Sequence, residues 1–143
     1  GYFTRYPKVK IYMQEAIEAA RAMGYVTTLM NRRRWIPEIN SSNMSIRQFA
    51  ERTAINTPIQ GSAADLIKIA MINISVDLKK RKMNTAMILQ VHDELVFDMP
   101  QEEEKEAAAL IKDLMEHAIA LKVPVEAQVK IGDNWLETKE ADL

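Results

Sequence analysis

Cysteine is missing from this chain altogether. No disulfide frame can therefore form, and no thiolate metal site is possible. Four glycines and five prolines are spread over 143 residues, and no low-complexity segment, internal repeat or linker is visible. No apolar run approaches the ~20 residues of a membrane-spanning helix, and no signal-peptide pattern is present. What remains is 48% hydrophobic and 27% charged residues, the composition of a globular domain with a real core. The expectation is a cytoplasmic protein. The chain opens on Gly1 rather than Met and enters a helical pattern almost at once, so it reads as a piece of something longer.

A net charge of −1 conceals a split. Residues 1–60 carry nine Lys/Arg against four Asp/Glu, whereas residues 61–143 carry ten against sixteen. Seven of the eight arginines lie in the first part. Such an asymmetry fits a basic surface for an anionic partner, or solvated helix faces.

Periodicity supplies the elements. Val9, Tyr12, Met13, Ala16, Ala20 and Met23 recur at helical spacing, which predicts a helix over 4–23 with Pro7 in its first turn and Gly24 as its stop. Residues 25–30 and 34–36 read as a small hairpin turning at Asn31-Arg32-Arg33. Ser45, with Gln48, has the form of a helix cap. That helix runs towards Pro58, where a kink or a break is expected, with Thr57 to Gln60 opening a second helix that continues to about Lys82. A hairpin follows: a strand over 85–91, a turn around His92-Asp93-Glu94, and a strand over 95–99. Residues 101–121 read as a helix, residues 123–131 as a third strand, and Trp135 is expected to pack the tail. The fold class is α+β, an antiparallel sheet with helices on one face, plus a helix and a small basic hairpin.

Two constellations could carry chemistry. Asp93 and Glu94 sit between strand-forming runs with no basic partner in the segment, and an unpartnered buried charge costs several kcal/mol or more. The pair is therefore either an exposed polar turn or the holder of something positive, most simply a metal ion. Phosphoryl transfer commonly uses two Mg²⁺ about 3.5–4 Å apart on oxygen ligands. His92 beside them could donate a proton, touch a substrate, or simply occupy the turn. The second constellation is Arg52, Asn56 and Gln60, spaced four and four along one helical face. Such a ridge is either solvated or able to donate to minor-groove acceptors, which vary little between base pairs. Gly61-Ser62-Ala63-Ala64 indicates close approach by another backbone or a ligand. Arg32-Arg33-Arg34 is a solvated basic turn or a phosphate contact.

QVHDELVF, with TPIQGSAADLIK and GYVTTLMNRRRWIPEI upstream, resembles the C-terminal part of the family A DNA polymerases, and the resemblance runs from YFTRYPKVKIYM to VKIGDNWLETKE. It implies template-directed DNA synthesis in replication and repair, in the bacterial cytoplasm at the nucleoid, by two-metal phosphoryl transfer from deoxynucleoside triphosphates to a primer 3′-hydroxyl. Residues of about 1–45 would be distal fingers and about 46–143 palm. Asp93 matches the family's Mg²⁺-binding aspartate, Glu94 the neighbouring carboxylate, and His92 a residue near the primer terminus. Arg52, Asn56 and Gln60 match contacts to the primer–template minor groove. The partners implied are primer–template DNA, deoxynucleoside triphosphates and the rest of the polymerase chain. A second metal-binding aspartate, in a motif of the form DYSQIELR, and a fingers helix carrying Arg, Lys and Tyr are not found here; both would precede Gly1. The piece is thus expected to hold half a metal site and to be inactive alone. The alternatives are a non-catalytic duplex-binding module and a structural fragment.

Overall fold

A computed structural model describes residues 1–141. Its elements, in chain order, are α1 (Tyr2–Arg5), α2 (Pro7–Met23), β1 (Tyr25–Thr27), β2 (Arg33–Trp35), α3 (Met44–Arg81), β3 (Ala86–Val91), β4 (Glu94–Asp98), α4 (Glu104–Glu116), β5 (Lys130–Ile131) and β6 (Lys139–Glu140). Short 3₁₀ turns precede α3 and α4, at Pro37–Asn40 and Gln101–Glu103. The strands form three separate two-stranded antiparallel sheets, β1–β2, β3–β4 and β5–β6. Helices with small antiparallel sheets bear out the α+β class. The chain divides into two compact units, Gly1–Asp65 and Leu66 onward, the division falling inside α3.

In the first unit, the helix expected over 4–23 is interrupted at Tyr6, whose ψ of 67 lies outside the helical region. Pro7 is the cause, because its ring disfavours α geometry at the residue before it, and it then opens α2 as the first helical residue. Gly24 ends α2 in the left-handed region at φ 77, its N–H donating to the Ala20 carbonyl at 2.8 Å. This reversal leads directly into β1. Ala20, Val26, Ile36, Ile39, Ala50 and Ala54 form the core of this unit. The helix cap is Asn43 rather than the expected Ser45: its Oδ1 accepts from the N–H groups of Ser45 and Ile46 at 3.0 and 3.3 Å.

No break occurs at Pro58; α3 runs on for 38 residues with the proline inside it. A proline inside a helix costs ~3 kcal/mol, so tertiary contacts must offset it. Ala50, Ala54 and Thr57 are buried on the approach to the proline, and Ser62 and Asp65 are buried after it. The Tyr12 hydroxyl donates to the Ile55 carbonyl at 2.8 Å, and the Ser62 hydroxyl donates to the Pro58 carbonyl. Thr57 is therefore a buried mid-helix residue, not a cap.

In the second unit, Ala70, Ile74 and Leu78 of α3 pack with Ala107, Leu110 and Ile111 of α4, joined by Met87, Leu95 and Phe97 of the β3–β4 hairpin. Ala70 and Ala107 are both fully buried in this cluster. The α3 helix ends at Lys82, held at φ 57. Met83 N–H donates to the Leu78 carbonyl and Lys82 N–H to that of Lys79, a Schellman closure with lysine where glycine is usual. The α4 helix stops at Glu116 rather than 121. The His117 N–H and ring Nδ1 both meet the Asp113 carbonyl, each at 3.0 Å. The third strand shrinks to Lys130–Ile131 and joins β6 rather than β3–β4. Pro124 offers no donor, and the Ala127 N–H is taken by the Glu116 carboxylate. Trp135 does not pack the tail; it is 54% exposed.

Candidate functional site

The β3–β4 hairpin places its carboxylates at an exposed tip. Val91 pairs with Glu94, leaving His92 and Asp93 as a two-residue turn. His92 lies at φ 54, and Asp93 has no positive φ. A positive φ at the first turn residue is a conformation where glycine is usual. Histidine tolerates this region better than most residues, but left-handed geometry still costs an L residue ~1–2 kcal/mol. The Gln90 amide steadies the turn by donating to the His92 carbonyl at 3.0 Å. His92, Asp93 and Glu94 are all exposed. Among the described residues neither carboxylate has an ion-pair partner, and no group of three or more His, Cys, Asp or Glu assembles a complete metal site. The hard oxygens of Asp93 and Glu94 suit a divalent cation such as Mg²⁺, and they fit as part of a site rather than as a whole one.

The base of this hairpin is fixed by a different carboxylate. Glu103 accepts from the N–H groups of Asn84 and Thr85 at 2.7 and 2.8 Å and from the Thr85 hydroxyl at 2.6 Å. These bonds, that from the Asn84 backbone first, hold its carboxyl below the usual carboxylate range. Nothing in the local pattern signals this role, because a first-turn Glu also serves the helix dipole.

In the first unit, Arg52, Asn56 and Gln60 are all exposed along one face of α3. They do not stand on a purely polar ridge: Phe49 and Ile59 on the same helix are 64% and 63% exposed. The Arg52 guanidinium lies 5.9 Å from the Phe49 ring centre. Gln60 also lines an open cleft of about 330 Å³ with Thr28, Arg32, Arg33, Arg34, Thr57 and Gly61. This cleft exists because the loop between β1 and β2 docks onto α3. The Leu29 N–H donates to the Ser62 hydroxyl at 2.9 Å. Arg32 Nε meets Asp65 Oδ1 at 2.8 Å, and its Nη2 donates to the Gly61 carbonyl at 3.2 Å. The small-residue run at 61–64 thus receives a loop, not another helix. It also separates the three arginines: Arg32 is committed to Asp65, while Arg33 and Arg34 make no ion pair among the described residues.

Comparison with known proteins decides what this segment is. A sequence profile for DNA polymerase family A matches residues 1–137. The chain belongs to the family A DNA polymerases. It is 50% identical over 138 residues to DNA polymerase I of Bacillus subtilis (strain 168), covering 96% of this chain and 16% of that protein. It is 53% identical, with the same coverage, to DNA polymerase I of Streptococcus pneumoniae (strain R6). Among solved structures it is similar to the POL domain of Pol1 from M. smegmatis in complex with DNA primer-template and dNTP. There the TM-score is 0.85 at 45% identity, over 87% of this chain and 22% of that one. The chain therefore spans about 16% of the length of the family A relatives it matches. No helix among the described residues is long and apolar enough to cross a membrane.

Proposed function

We propose that this segment is the distal fingers, about residues 1–45, and the palm, about residues 46–143, of a polymerase that carries out template-directed DNA synthesis in replication and repair in the bacterial cytoplasm. The observation that carries the reading is an exposed pair of carboxylates at the hairpin tip, Asp93 in the two-residue turn and Glu94 beside it at the start of β4, with no ion partner among the described residues, in a chain of this family. Asp93 is assigned as a ligand of catalytic Mg²⁺ ions, with Glu94 as the adjoining carboxylate. An aspartate outside the chain would complete the site, as the incomplete donor set requires. Bound divalent cations would supply Lewis-acid stabilisation of charge on the transferred phosphoryl oxygens. His92, fixed in its turn, presents an imidazole beside Asp93 towards the primer terminus. Arg52, Asn56 and Gln60 donate to minor-groove acceptors of the primer–template and check shape rather than sequence. The substrates are primer–template DNA and deoxynucleoside triphosphates. With half the donors, the segment alone is inactive.

The half-complete donor set also suits a second reading, a duplex-binding module without catalysis. The two part on Asp93→Ala in the polymerase that carries this segment. Under the first reading Mg²⁺-dependent primer extension falls by ~10²-fold or more, the scale of removing one transition-state-stabilising group, and DNA affinity persists. Unchanged extension would sink the assignment and leave the binding module.

A further inference from the structure

The outward face of the β1–β2 hairpin is aromatic and cationic together. Tyr25 pairs with Trp35 and Thr27 with Arg33 in the register. Because successive strand residues alternate sides, these four share one face, while Val26 turns into the core. Trp35 is 65% exposed. Its ring meets the Tyr25 ring edge-on, at 5.1 Å between centres and 66° between planes. A Cβ on Gly24 would sit 4.0 Å from Trp35 Cζ3, so the ring lies beside Gly24. The Arg33 guanidinium lies over the Tyr25 ring at 4.7 Å. Its N–H donors have no carboxylate partner among the described residues.

The geometry points to this face as a platform for an unpaired nucleic-acid strand: Trp35 receives a base, and Arg33, placed over Tyr25, meets the adjoining phosphate. The inference rests on the DNA-binding reading above and goes beyond it by assigning a strand rather than a duplex. Base–aromatic stacking needs a free base face. A duplex keeps its base faces stacked inside, whereas a single strand offers them. The arginine argues for a polyanion, since an apolar protein surface laid over Trp35 would have to strip water from Arg33 without pairing it. Arg34, which pairs with Val26 and so belongs to the other face, is not part of the platform; it lines the cleft with Gln60.

The test uses the polymerase that carries this segment, with three probes: a blunt duplex, the same duplex with a single-stranded 5′ overhang, and an oligothymidylate. Affinities are read by fluorescence anisotropy. Trp35→Ala is expected to weaken binding of the overhang duplex and the oligothymidylate by about 5- to 150-fold, the equivalent of one lost base stack. Blunt-duplex affinity should stay the same, which also reports that the variant is folded. Trp35→Tyr should restore most of the loss, and Arg33→Gln should lower the salt slope of oligothymidylate binding by about one. Equal losses on blunt and overhang duplexes, or no loss on any probe, would overturn the platform while leaving the polymerase reading intact. A wild-type protein that binds none of the probes would overturn both.

Discussion

Gly61 stands in the interior of α3, where alanine would be more favourable by ~0.8–1.0 kcal/mol. Its reason lies across the loop. A Cβ at position 61 would sit 2.6 Å from Thr28 Cγ2, closer than real contacts allow. Thr28 cannot easily yield, since it is 5% exposed and its Oγ1 accepts from the Arg32 N–H at 3.3 Å. Overpacking of this kind costs ~1–3 kcal/mol. Set against the helix gain, Gly61→Ala should destabilise by ~0–2 kcal/mol. Thr28→Ser removes Cγ2 but keeps the hydroxyl. The nearest remaining atoms would then be Arg32 Nη2 at 3.7 Å and residue 28 Cβ at 3.9 Å, ordinary contact distances. In that background Gly61→Ala should stabilise by up to ~1 kcal/mol. Urea unfolding of the four proteins of the cycle gives the coupling directly, expected at ~1–3 kcal/mol. If Gly61→Ala has the same sign and size with Thr28 or Ser at position 28, the close approach is not what selects glycine.

Two left-handed residues give a contrasting pair. Lys82→Gly should raise stability by ~1 kcal/mol by removing the cost of φ 57 at the end of α3, and leave primer extension unchanged. His92→Gly should relax the turn by a similar ~1–2 kcal/mol but lower extension; denaturation and extension assays on both variants check this, and undiminished extension by His92→Gly would remove the histidine from the site. Glu103 has a carboxyl pKa lowered by folding, so its contribution is whole above the unfolded value and is lost as pH falls through the folded one. Unfolding measured from neutral to acid pH should therefore steepen through Glu103, and Glu103→Gln should be less stable at neutral pH with a flatter acid limb; parallel curves for the two proteins would refute the linkage. Gln60→Ala should weaken primer–template binding by ~1–3 kcal/mol and change correct and mispaired termini unequally; equal effects in a binding titration would argue against shape checking.

Much of this was legible because it depends on local period. The apolar spacing of α2, the stop at Gly24 and the paired runs around His92 are local patterns, which a linear sequence displays. What escaped depends on distant partners. Pro58 reads as a break, yet α3 continues because residues on both sides of it are buried and Tyr12, forty-three positions from Ile55, supplies a donor. Residues 123–131 alternate like a strand, but Pro124 and the capture of the Ala127 N–H by Glu116 leave little of it to pair. The Ser45 cap was misplaced because α3 already begins at Met44, and Asn43, the residue before it, takes the first free N–H groups on its Oδ1. Of the candidate site, the HDE tip and the Arg52–Asn56–Gln60 face could be read directly. The division of labour among Arg32, Arg33 and Arg34 could not, since Asp65 is what separates them.

The register of the β3–β4 hairpin changes between Met87 and Leu89: Met87 faces Phe97, but Leu89 faces Val96, so Ile88 has no opposite number. That extra residue sets the parity of everything beyond it. Were Met87–Phe97 continued without the bulge, Gln90 would face Glu94, and Val91, His92 and Asp93 would form a three-residue loop. With the bulge the count is even, the loop closes on His92 and Asp93 alone, and Glu94 enters the ladder as the partner of Val91. An exposed isoleucine several positions away thus decides which carboxylate belongs to the turn and which to the strand. Length changes on either strand would be felt at the tip as a change of identity rather than of distance. Deletion of Ile88 itself is an exception, because it removes the bulge and leaves His92 and Asp93 as the two-residue turn.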